Sequence, residues 1–171
     1  GAQFKNANNM TDVMAALEIL SHIDAPARNG ALAEFYNKWR EDAIVIDKWL
    51  ALQATSSLPG ALDDVQALLT HEAFSIRIPN KVRALIGAFC NANQVRFHAA
   101  DGSGYGFLAD RVLELDALNP QVAARLLGPL GPWRKFDSGR QQKMKGQLQR
   151  ILDSEQTLSP DVFEIASKSL A

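Results

Sequence analysis

A chain of 171 residues is long enough for one domain that buries roughly 70% of the surface its unfolded form exposes. Apolar residues at 47% and charged residues at 22% give a globular balance, which excludes disordered and fibrous classes. Eighteen basic against nineteen acidic residues leave a net charge of -1, which excludes bulk electrostatic attraction to nucleic acid or an anionic membrane.

Read from its start, the chain opens Gly1-Ala2 in place of methionine, which reads as a tag scar or a cut inside a longer polypeptide. No apolar run approaches the roughly 20 residues of a membrane span, and no signal-peptide pattern precedes the first helix. Cys90 is the one cysteine, so no intramolecular disulfide forms and a cytoplasmic location is expected. Helical periodicity predicts a helix over 11–24, where Val13, Leu17 and Leu20 recur at three-to-four spacing. Further helices are predicted over 28–39, 42–54 and 60–71, the last with Leu62, Val65, Leu68 and Leu69 on one face.

At the end of that helix, His71-Glu72 opens like the zinc-protease motif in which two histidines one turn apart ligate metal and the glutamate acts as base. Ser75 stands where the second histidine is needed, so the expected reading is a helix-end histidine near the C-terminal dipole. His22 and His98 likewise lack partners at ligand spacing. Ile76-Arg77-Ile78 is expected to be a short extended segment leading into Pro79, with the next helix over 80–91. Cys90 ends the apolar run Leu85-Ile86-Gly87-Ala88-Phe89-Cys90 and is expected to pack as core, since a nucleophile needs a base and a lowered pKa.

Asp101-Gly102-Ser103-Gly104-Tyr105-Gly106 has too few residues between glycines for a phosphate loop, lacks the lysine and follows no strand. It reads as a turn in which Asp101 or Ser103 caps a helix over 104–118. Asn119-Pro120 and Ser159-Pro160 each set a capping side chain before a proline at the first helical position, predicting helices over 120–130 and 160–170. Between them, Ser138 and Gln141 are expected to form a capping box that opens a helix over 138–153, with Met144, Leu148, Ile151 and Leu152 on one face. Arg134, Lys135, Arg140, Lys143, Lys145 and Arg150 form a basic stretch. A nucleic-acid site would add interleaved aromatics and a larger basic excess, so this reads as the solvated outer face of a helix.

Helix pairs recur at about 35 to 45 residues, the range of HEAT and armadillo arrays, which predicts an all-α fold: a superhelical stack of antiparallel helix pairs. The period is one of structure, with no sequence motif expected to recur at it. Arg83 and Arg125 fall in the first turns of otherwise apolar helices. An arginine there is either tied into an inter-helix salt bridge or aimed at an anion in the concave face.

Seven ordered segments carry a resemblance: Asn8-Asn9-Met10-Thr11-Asp12, Lys38-Trp39, Asp47-Lys48-Trp49, Leu52-Gln53-Ala54-Thr55-Ser56, Val82 to Phe89, Phe97 to Tyr105 and Asn119-Pro120-Gln121-Val122-Ala123. From Ala7 to Ala171 the chain resembles the C-terminal helical domain of bacterial aminopeptidase N, in the M1 family of zinc aminopeptidases. The resemblance implies that residues 1–171 are a single helical domain, the C-terminal fragment of a larger multidomain peptidase. It implies a zinc ion held by a preceding catalytic domain that this chain lacks, so the isolated fragment is expected to be inactive. It also implies a bowl that closes over that catalytic domain, a partner on the same polypeptide, and gates peptide substrates. By motif position Arg83, Gln121 and Arg125 point toward the cavity. Ile78 departs from the asparagine common in relatives, and Gly128 to Trp133 is richer in glycine and proline than theirs. An independent helical-repeat adaptor that binds a partner protein in its concave groove is the alternative.

Overall fold

Side chains that satisfy the orphan amides of each first turn decide where most helices begin, and the computed structural model, which describes residues 9–171, shows them in place. Asn9 accepts from the Asp12 amide and opens α1, Met10–Ser21. Helix α2, Pro26–Trp39, starts on a proline, and Asp42 caps α3, Ala43–Ala54. Helix α4, Ala61–Leu68, ends one turn before its expected end, because the amides of Leu69, Thr70 and His71 donate to carbonyls three residues back, a tightened turn that ends in a bend at His71. Gly1, Ala2, Ala7 and Asn8 lie outside the described residues.

Ile76-Arg77-Ile78 is a turn and not an extended segment: the Ile78 amide donates to Ser75 O, and Ile78 takes extended dihedrals just before Pro79. Pro79–Val82 runs through a π-helical stretch, Arg83–Gly87, into Ala88–Ala92, and the three pieces make one helix, α5. Asn93 then caps a short α6, Gln94–Phe97, which periodicity alone did not reveal. Helix α7, Ser103–Asp116, begins on Gly102, whose φ of 78° lies in the left-handed region that favours glycine. Neither Asp101 nor Ser103 is its N-cap; Asp101 instead accepts from the Ser103 amide and hydroxyl, which holds its carboxyl below the usual range.

Asn119 and Ser159 cap α8, Pro120–Leu126, and α10, Pro160–Leu170, as their sequences predict. Past Leu127 the α-helix gives way to two 3-10 turns, Gly128–Leu130 and Trp133–Lys135, so the glycine- and proline-rich stretch does alter the local path. The capping box at Ser138 is absent. Asp137 accepts from the Arg140 amide and opens α9, Ser138–Leu152, while the Gln141 side chain donates to Arg134 O and Phe136 O.

Among the described residues the fold is entirely helical. Helices pack on partners one or two places along the chain: α1 against α2 and α3, α3 against α4 and α5, α7 against α8 and α9, α8 and α9 against α10. One continuous core runs through the stack, with Leu17, Phe35, Leu50, Phe89, Phe97, Tyr105, Leu108, Leu148 and Val162 fully buried. Phe89 meets Phe97 and Phe107 edge-on at 6.2 and 5.5 Å, joining α5, α6 and α7.

Polar stitches repeat at the predicted period. Ser56 Oγ donates to Ser21 O across 35 residues, the buried Asn93 amide donates to Ala54 O and Ser56 O across 39 and 37, and Trp133 Nε1 to Ser169 O across 36. Buried carbonyls left over at helix ends are costly, and these side chains satisfy them. A sequence motif does recur at this period, contrary to expectation. A proline followed by a polar residue opens α5, α8 and α10 as Pro79-Asn80, Pro120-Gln121 and Pro160-Asp161, 41 and then 40 residues apart.

Candidate functional site

Helix α8 turns Ala123 and Leu126 into the core, which leaves Gln121, Ala124 and Arg125 on the opposite side. Helix α10, packed against it, buries Val162 and Ala166 and leaves Asp161, Glu164 and Ile165 outward. These six residues line a cleft of about 370 Å³. Its geometry is fixed at the base by Asp116 at the end of α7, whose buried carboxylate accepts from both the amide and the hydroxyl of Ser159, the cap of α10.

The electrostatics of the cleft are mixed. Among the described residues, the side chains of Gln121, Arg125 and Asp161 make no hydrogen bond and no ion pair, while Glu164 is paired with Lys168, which holds its carboxyl below the usual range. One free guanidinium and two carboxylates therefore share the walls. Arg83 does not line this cleft. It lies exposed on α5, one repeat earlier, with its guanidinium donating to the Asn80 side-chain carbonyl. The structure thus brings Gln121 and Arg125 together and leaves Arg83 apart; neither arginine forms an inter-helix salt bridge among the described residues.

Asp161, Glu164 and Ile165 went unnoticed in the sequence. The signal was available, since Ser159-Pro160-Asp161-Val162 repeats Asn119-Pro120-Gln121-Val122 forty residues later and sets Asp161 where Gln121 stands.

The other candidates resolve into structure. His71 sits in a turn, its Nδ1 accepting from the Ala73 amide and its ring edge-on to Tyr36 at 4.9 Å, while Glu72 accepts from the Tyr36 hydroxyl at 2.8 Å. Cys90 is a buried core thiol whose pKa burial pushes up. His22 accepts from the Ser57 amide, and His98 contacts the Tyr105 hydroxyl at 2.8 Å and stacks on Phe136 at 4.3 Å. No three metal-ligating side chains converge among the described residues.

The basic stretch is not a freely solvated face. Arg140 Nε donates to His98 O, Lys143 to Ala100 O, and Arg150 to Gly106 O and the Asp110 carboxylate, so the stripe staples α9 to the start of α7. Arg134 and Lys145 lie over the Trp133 ring. A second cleft of about 380 Å³, lined by Tyr36, Arg40, Glu41, Glu72 and Lys81 among others, has its charges satisfied nearby, with Lys81 on Asp47 at 2.7 Å and Arg40 on Glu41 at 3.5 Å.

A stack of helix pairs stitched at a repeat of about forty residues is an armadillo-type repeat domain. Over residues 1–171 the chain matches the family described as a domain of unknown function (DUF3458_C) with ARM repeats, and it belongs to that family. It is 44% identical over 169 residues to aminopeptidase N of Escherichia coli (strain K12) and 45% identical over 167 residues to aminopeptidase N of Haemophilus influenzae. Those matches cover 99% and 98% of this chain and 19% of each relative, so the chain is homologous to the C-terminal part of proteins about five times its length. The crystal structure of Legionella pneumophila aminopeptidase A in complex with aspartic acid superposes with a TM-score of 0.92 at 35% identity, covering 99% of this chain and 20% of that one.

Proposed function

We propose that residues 1–171 are the C-terminal domain of a longer zinc-dependent aminopeptidase, in which this helical stack caps the active-site cavity, gates the entry of peptides and contributes to their binding. The observation that carries the reading is coverage: nearly the whole chain corresponds to only 19% of relatives named aminopeptidase N. The described residues do not fit a zinc site, since His71 and Glu72 are engaged by Ala73 and Tyr36 and no third ligand is near. Metal chemistry then belongs to the catalytic domain on the same polypeptide, and the share of this domain is binding and access.

Within that reading Arg125 offers a fixed cation to the downstream carbonyls or carboxylate of a peptide, and Gln121 an uncharged donor and acceptor beside it. Arg83, exposed one repeat earlier on α5, is proposed as a further cation toward the same cavity. A charge-assisted hydrogen bond of this kind contributes about 1.5 to 3 kcal/mol. In the full-length enzyme, Arg125→Ala therefore lowers kcat/KM on tripeptides about tenfold or more and spares single-residue chromogenic amides, which do not reach the cleft. Equal losses on both substrate types would remove the role. Because Arg125 is exposed and has no partner among the described residues, its loss leaves the thermal midpoint within about 2 °C, which separates a binding defect from an unfolding one.

A further inference from the structure

Opposite charges that share a cleft normally pair with each other. In the second cleft Arg40 and Glu41 do, and Lys81 is paired with Asp47 outside the lining. In the cleft between α8 and α10 they do not. Arg125 and Asp161 stand on opposite walls with no ion pair between them, and among the described residues Gln121 has no hydrogen-bond partner and only Glu164 is engaged, by an exposed lysine on its own helix. Ile165, itself 39% exposed, supplies an apolar surface in the same lining.

Such an arrangement is complementary to a ligand that carries both charges. We infer that the cleft between α8 and α10 takes the end of a peptide whose last residue is lysine or arginine, with the terminal carboxylate on Arg125 and the cationic side chain on Asp161 and Glu164. The inference rests on the proposed peptide-binding role of this face and adds to it a substrate class. Gln121 meets the last peptide amide, whose N–H and C=O it can serve at once. The aliphatic stem of the lysine or arginine lies along Ile165, as long basic side chains do on apolar surface, leaving its charged head at the carboxylates. An apolar last residue leaves Asp161 unmatched, and an amidated end leaves Arg125 unmatched.

Binding to this 171-residue chain, isotopically labelled and followed by amide chemical shifts at low ionic strength, tests the inference without any catalytic readout. The probes are acetyl-Ala-Lys, acetyl-Ala-norleucine and acetyl-Ala-lysinamide; acetylation removes the competing terminal ammonium. Acetyl-Ala-Lys is expected to bind about three- to fivefold more tightly than either of the others, the range of exposed charge pairs, with shifts centred on Gln121, Arg125, Asp161 and Ile165. Asp161→Asn abolishes the preference for lysine over norleucine and keeps that for carboxylate over amide; Arg125→Gln does the reverse. Both positions are exposed, so neither substitution disturbs the core. Equal affinities for lysine and norleucine overturn the inference, and if the carboxylate preference survives, the role of Arg125 in the proposed function survives with it. Shifts away from the cleft, or none with any probe, overturn both.

Discussion

Gly104 and Gly106 stand two residues apart on α7, yet substituting alanine at each should move stability in opposite directions. A Cβ at position 104 would lie 2.3 Å from the carbonyl oxygen of Phe97 and 2.8 Å from its Cα, where ordinary contact begins near 3.4 Å. The obstacle is backbone, so α6 and α7 must separate by about 1 Å. Overpacking costs about 1 to 3 kcal/mol, and a rigid obstacle puts this case at the upper end. Alanine's better helix propensity returns about 1 kcal/mol, leaving a net loss of about 2 kcal/mol. For a domain of this size that lowers Tm by about 4 to 8 °C. At position 106 nothing lies within 4 Å, so only the propensity gain remains and Tm rises by about 2 to 4 °C. Thermal melts followed by circular dichroism at 222 nm measure both. A Gly104→Ala variant melting at or above the wild-type temperature would refute the close approach on which the argument depends.

The pH dependence of stability should carry the mark of His98. Burial first, and the Arg140 charge second, lower its pKa from the ordinary 6.5. The neutral ring is the form that accepts the Tyr105 hydroxyl, with Arg140 and its partner Asp137 as the charged groups facing it. A histidine whose folded pKa is depressed contributes stability that is full above about pH 6.5 and is lost as pH falls below it. Asp101, Asp137 and Glu164 are lowered from 3.8, 3.8 and 4.5, so their contribution disappears only in more acid solution. Tm should therefore fall between pH 7 and 5.5 in the wild type and stay level in His98→Gln; a level wild-type profile would contradict this. Asn93→Leu leaves Ala54 O, Ser56 O and the Arg96 amide without partners and should cost about 3 kcal/mol, seen as a lower urea midpoint at unchanged slope. Asn91→Ala, on the exposed face of α5 two residues earlier, should cost under about 0.5 kcal/mol.

Helix starts were legible wherever a side chain and a proline acted together, as at Asn119-Pro120 and Ser159-Pro160, because both the cap and the fixed φ are local. Ser138 misled because Asp137, one residue earlier, is the stronger acceptor and took the first turn, releasing Gln141 to serve the carbonyls behind it. Helix α6 is four residues long and held by Asn93, a length at which periodicity has nothing to count. The end of α4 depended on His71 meeting Tyr36 and Trp49, aromatic contacts from two other helices that no local pattern records.

At the cleft, Gln121 and Arg125 were reached through resemblance, and both line it. The free state of Arg125 could not be read from residue type, since its alternative was a salt bridge whose partner would sit on another helix. The acidic wall needed the forty-residue register between α8 and α10, which becomes visible once Pro120 and Pro160 are superposed.

Every cross-helix stitch described above spans a single repeat, and the longest side-chain hydrogen bond among the described residues, from Arg150 to Gly106 O, joins positions 44 apart. Load applied to α10 therefore reaches α1 only through each intervening interface in series, as in a coil of linked leaf springs. A rotation of a few degrees per interface leaves every core contact packed but adds along the axis. The bow of the array is for that reason its softest coordinate, and the distance between its two ends can change while no single helix pair comes apart.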